Sequence, residues 1–124
     1  MPFQIDVHEG EAVIEVVYPT LPSAQDVSDY VARIRRAIDA QRGPWACLVD
    51  QRELKELPAD LLEKVTALNA YARRRGMRAS ARLVSTARAA LQTTKLALDV
   101  DDAKVRAFDD REAALAWLRQ QLKR

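Results

Sequence analysis

Hydrophobic and polar residues alternate at the start of the chain. Phe3, Ile5 and Val7 interleave with Gln4, Asp6 and His8, the period-two pattern of a half-buried strand. Glu9-Gly10-Glu11 supplies a turn with a glycine available for positive φ. Residues 12–18 are rich in β-branched side chains and form a second strand. The two read as an antiparallel hairpin, ended by the segment from Pro19 to Pro22.

The period then changes to that of a helix. Ser23 is a good N-cap, and Asp26 favours the positive end of the helix dipole. Val27, Val31, Ile34 and Ile38 fall on one face, with Arg33, Arg35, Arg36 and Asp39 largely off it. Gly43-Pro44 stops the helix. Trp45-Ala46-Cys47-Leu48-Val49, closed by Asp50, is a continuous apolar run that suits a central strand buried on both faces. Pro58 and Asp60 start a second helix, striped by Leu61, Val65, Leu68 and Ala72. Arg73-Arg74-Arg75 sits at its C-terminal end, where cations are favoured, and Gly76 closes it.

Residues 77–84 form a fourth strand. Arg78, Ser80 and Arg82 alternate there with smaller or apolar residues, which predicts an exposed or edge position. Ser85-Thr86 caps a third helix that runs to about Leu98, with Ala87, Ala90, Leu91, Thr94 and Leu98 on its inner side. After a polar turn at 99–102, Lys104-Val105-Arg106-Ala107-Phe108 is the last strand. Asp109 and Glu112, three apart, predict a capping box for a last helix. Leu115, Leu118 and Leu122 share one side of it, beside Ala114 and Trp117. Helices alternating with short strands imply an α/β fold with right-handed crossovers and a largely parallel sheet of four to five strands. The opening hairpin makes that sheet mixed.

Composition adds limits more than leads. A chain of 124 residues fits one domain, residues 1–124, with a hydrophobic core that needs no disulfide or metal. The net charge of +2 makes no electrostatic case for nucleic acid. Cys47 is the one cysteine and lies in an apolar run, so it reads as a small buried hydrophobe in a reduced compartment. Neither a signal-peptide pattern nor an apolar run of roughly 18 residues occurs, so a cytoplasmic location without a membrane span is expected.

Candidate chemistry is sparse. Ligands of open α/β sheets collect beyond the carboxyl ends of the strands, which singles out Asp50, Gln51 and Arg52, with Ser85 and Thr86 after the next strand. An aspartate, a hydroxyl and a lysine there would suit a phospho-accepting receiver. A receiver, however, needs an acidic pair at the end of its first strand, and Lys104 lies at the wrong end of the last one. His8 is the sole histidine, so a metal site would rest on carboxylates, and it reads as a solvated surface residue. The glycines are dispersed singly at turns, which leaves no phosphate-binding loop and no expected cofactor. Arg73, Arg74 and Arg75, with Arg78, Arg82 and Arg88, read as a solvated helix end and its surroundings.

The element order, the strand Ala46-Cys47-Leu48-Val49-Asp50 before a helix, and the ending Val105-Arg106-Ala107-Phe108 then Glu112-Ala113-Ala114-Leu115-Ala116-Trp117-Leu118 resemble the STAS-like superfamily. This is the anti-sigma-factor antagonist fold, and the likeness is to its SpoIIAA-like branch, over nearly the whole chain. The resemblance implies helices packed mainly on one side of the mixed sheet. It also implies a Ser or Thr after the third-strand aspartate, phosphorylated by a partner kinase in regulatory members, where a phosphate meets a helix N-terminus. This chain departs there, since no Ser, Thr or Tyr occurs from Gln51 through Val65. The expectation is a non-enzymatic regulatory module that binds a protein partner or itself through Asp50, Gln51, Arg52, Ser85 and Thr86. The alternative is a small carrier that holds an apolar ligand between sheet and helices.

Overall fold

Antiparallel pairing of β1 (Gln4–His8) with β2 (Val13–Val17) opens a five-stranded sheet in the computed structural model, which describes residues 2–55, 59–85 and 104–123. The expected helix from Thr86 to about Leu98, the turn at 99–102, Pro58 and Arg88 lie outside the described residues. The hairpin turns where expected, but the positive φ falls on Ala12 (58°), not on Gly10. An L-residue there carries a modest steric cost, and Ala12 still accepts a bond from the Ala46 N–H at 2.9 Å.

The helix α1 (Ala24–Asp39) starts at a complete capping box, in which Ser23 and Asp26 each accept the other's backbone N–H at 3.0 Å. Its buried residues are Val27, Tyr30, Ile34 and Ile38, so Tyr30 takes the inward place expected of Val31, which is only partly buried. β3 (Trp45–Asp50) is buried on both faces, as its unbroken apolar run requires. The four-residue stripe of α2 (Ala59–Arg74) is buried as read from the spacing. Gly76 follows at a φ of 99°, a left-handed value that glycine adopts without strain, and the Trp45 indole donates to the Arg75 carbonyl at 3.0 Å.

β4 (Met77–Leu83) is not an edge. It lies between β3 and β5 (Lys104–Phe108), parallel to both, and β1 and β5 take the two edges. Pairing on both sides buries Ser80 and Arg82 to 2% and 3% exposure. The register slips by one residue where Trp45 faces Met77 and Ala46 faces Ala79. That slip turns Met77, Ser80 and Arg82 toward one face, while Ala79, Ala81 and Leu83 meet the other.

The last helix, α3 (Arg111–Leu122), is capped by Asp110, which accepts the Ala113 N–H at 2.9 Å. The expected box between Asp109 and Glu112 is therefore displaced by one residue, and an alanine stands where its second acid would be. Two of the three described helices share a face of the sheet, as expected. There α1 and α2 cover Ile14, Val16, Cys47 and Val49. α3 covers Val13, Ala46, Leu48, Ala79 and Ala81 on the other. Among the described residues no helix is long and apolar enough to cross a membrane.

Candidate functional site

Parallel pairing brings the carboxyl ends of β2 to β5 to one edge. Asp50 faces Leu83 in register, and the Gln51 N–H donates to the Leu83 carbonyl at 3.0 Å. Ser85, exposed, follows two residues after Leu83, so it shares this edge with Asp50, Gln51 and Arg52. Thr86 lies outside the described residues. Arg52 folds back on Asp50 with its backbone N–H at 3.2 Å, Nε at 3.0 Å and Nη2 at 2.9 Å. Burial acts to raise the Asp50 carboxyl. The bonds from Arg52, with the charges of Arg52 and Arg111, outweigh it and hold the group below its ordinary range. The pair is thus a closed clamp, with both carboxylate oxygens occupied.

A second clamp ties α3 to the hairpin. Arg111 donates to the two oxygens of Glu15 at 3.0 and 2.8 Å, across 96 residues of sequence. Those bonds are the largest influence on the Glu15 carboxyl; partial burial opposes them, His8 adds to them, and the group lies below its ordinary value. His8 is half-buried and bonded to Glu15 at 2.8 Å, not free in solvent as the sequence suggested. Asp6, His8 and Glu15 place ligand atoms within 4.8 Å of one another. A cation among them would stand beside the Arg111 guanidinium, which already fills both Glu15 oxygens, so the donors fit a metal poorly.

The third feature is Arg82. It is 3% exposed, with Nη1 3.5 Å from Gln51 Oε1, Nη2 3.4 Å from Asn69 Oδ1, and a buried Nε that has no partner. Both bonds are long and go to neutral amides, and no salt bridge reaches Arg82 among the described residues. Arg82 lines a partly open cavity of about 30 Å³ between the sheet and α1 and α2. Its walls include Ile34, Val49, Val65 and Leu68, with Tyr30, Cys47 and Ser80 as further polar-tipped residues. Burial pushes the Cys47 thiol up to about 11, against a smaller opposing effect of the Arg82 charge. This keeps the sulfur protonated and unreactive, the role its apolar run implied.

The basic run behaves as a structured helix end. Arg75 lies 3.7 Å from Asp39 and 5.2 Å from the Tyr71 ring, with Arg35 on the same ring at 4.5 Å. Tyr71 also donates to Asp39.

Gln51 and Asp50, adjacent in sequence, therefore serve different faces. Asp50 belongs with Arg52, while Gln51 reaches Arg82 behind the sheet. Arg82 and Arg111 were missing from the sequence-derived set. For Arg111, a basic residue just after the N-cap was a weak signal, since the helix dipole disfavours it there unless a carboxylate waits. For Arg82, the signal was misread as exposure.

No protein-family model matches the chain, and no curated protein does. The fold has a counterpart among solved structures. An uncharacterised DUF3478-family protein with a SpoIIAA-like fold, from Shewanella loihica PV-4, superposes with a TM-score of 0.78 over 94% of both chains. At 15% identity that likeness shows a SpoIIAA-like fold and carries no function with it.

Proposed function

We propose that this protein acts by binding and not by catalysis, and that its ligand is a small apolar molecule held between the sheet and α1 and α2. The cavity carries this reading. It is walled by side chains of both helices and of β3 and β4. Its lining, largely apolar with a few polar groups, has the composition that small-molecule sites use. Its volume of about 30 Å³ is that of one or two waters, so a larger ligand requires α1 or α2 to move away from the sheet. The clamps at Asp50 and Glu15 support a binding role by contrast, since their oxygens are committed to arginines. Native mass spectrometry of freshly purified protein tests the proposal. A bound mass released on unfolding is expected; a bare chain that also takes up neither added decanol nor added decanoate contradicts it.

A regulatory partner surface at Asp50, Gln51 and Arg52 is the second reading, favoured by one contact. Gln51 touches Arg82, so the loop that carries the Asp50–Arg52 clamp contacts a residue that lines the cavity. Occupancy of the cavity can be felt at the surface through that residue. Capture of one defined protein partner by the wild type, lost on Arg52→Ala, supports this reading, and a monomer with no partner in solution counts against it.

A further inference from the structure

We infer that Arg82 is the counter-charge for a ligand's carboxylate, which makes the ligand an apolar monocarboxylic acid and not a neutral hydrocarbon or alcohol. This rests on the carrier reading and sharpens it. Arginine keeps its charge in proteins, and removing an unpaired charge from water is among the largest costs a fold can bear. The interior offers Arg82 only two long amide contacts and leaves Nε unmet. Among the described residues that line the cavity there is no Asp or Glu. Among the described residues Arg82 thus lacks an anionic partner, and a bound ligand would supply one.

Three observations define that acceptor. The guanidinium is a planar fork of donors, which a carboxylate matches with two parallel bonds. Arg82 is the one cation among the described cavity residues, so it balances a single negative charge; a phosphate brings about −1.5 to −2. Most of the other walls, among them Ile34, Ile38, Val49, Val65 and Leu68, are apolar and suit a hydrocarbon tail, with Asn69 and Ser80 as neutral polar exceptions. The space beside Arg82 takes a headgroup of a few atoms as it stands, and the tail requires α1 or α2 to move away from the sheet. Carboxylate binding would also free Gln51 from its 3.5 Å contact, giving the loop after β3 a bound and an unbound state.

The test compares decanoate with decanol, two molecules of one chain length that differ in head charge. Calorimetric titration of the wild type at neutral pH should show decanoate binding about tenfold or more tightly, the margin of one charge-assisted contact. Arg82→Met should lose the preference for decanoate over decanol. In the wild type, the Arg82 Nε–H nuclear resonance should shift with decanoate and stay put with decanol, a readout that does not depend on the variant folding. Equal binding of the two by the wild type, or a preference that survives in Arg82→Met, overturns the assignment while the carrier reading stands. Binding of neither molecule overturns both.

Discussion

Arg111 and Arg82 stand on opposite faces of one sheet and are held in opposite ways. Arg111, its side chain 38% exposed, gives bonds to both oxygens of Glu15. Arg82, 3% exposed, has two neutral amides at the limit of bonding distance. The arginine that water could serve has a full protein partner, and the one water barely reaches has none. The surrounding cores differ in the same sense. α3 rests on Ala46, Ala79 and Ala81 through Ala114, and small side chains let helix and sheet close together. The α1 and α2 face is built on rigid rings, with Phe3 stacked on Tyr30 at 4.3 Å and Tyr18 edge-on to both. Trp45 completes that layer. Tyr18, Tyr30 and Trp45 also line the cavity, together with Cys47, Asn69, Ser80 and Arg82. One face is closely packed, and the other keeps a cavity beside a buried arginine.

The contrast can be broken experimentally. The largest effect is expected at Cys47, beside the cavity. With its thiol at about 11 against an ordinary 9.0, the folded protein holds about a hundredfold less thiolate at pH 8. Reaction with an aromatic disulfide reagent should be slower than in the urea-unfolded chain by at least that factor; equal rates would mean that this face does not close. On the other face, Leu118→Ala removes a fully buried side chain from a tight layer. It should cost about 3 kcal/mol by urea unfolding, and a loss under about 1 kcal/mol would show slack like that beside Arg82.

Arg111→Met should cost about 1–2 kcal/mol at pH 7, the worth of a half-exposed charge-assisted pair. Glu15 lies below its ordinary 4.5. The stabilisation it provides is therefore complete above about that pH and fades as pH falls through the lower folded value. Unfolding curves of wild type and variant should converge in acid, and a gap that persists there would assign the loss to packing. The smallest effect is expected at the margin of the α1 and α2 face, where Ala12→Gly relieves a positive φ. A gain of up to about 1 kcal/mol is expected, and a loss would show that the Ala12 methyl packs usefully in the core.

Local signals made most of the fold legible. The stripe of α2, the buried run of β3, the Ser23 cap and the closing strand all depend on neighbours within a turn or two. Strand order does not. Nothing in residues 77–84 says that β5 pairs beyond them, and that pairing turns an apparent edge into a centre and buries Arg82. The slip opposite Trp45 compounds this, because it lets Arg78 be exposed while Ser80 and Arg82 face inward. The candidate site was half legible for the same reason. The carboxyl edge was identified from topology, and Asp50, Gln51, Arg52 and Ser85 do lie there. That Asp50 would be clamped by Arg52, and that Gln51 would turn to the opposite face, depends on side-chain geometry the spacing does not encode. The displaced cap at Asp110 shows the same limit at the scale of one residue.

The central claim is that Arg82 is kept at the expense of stability because it serves a ligand. Urea unfolding of protein refolded to strip any bound molecule, wild type against Arg82→Met, measures this directly. The variant should be as stable as the wild type or more stable, by up to about 3 kcal/mol, since a buried charge is replaced by an apolar chain of similar length. A variant less stable by about 2 kcal/mol or more would contradict it, because the guanidinium would then be holding the fold together.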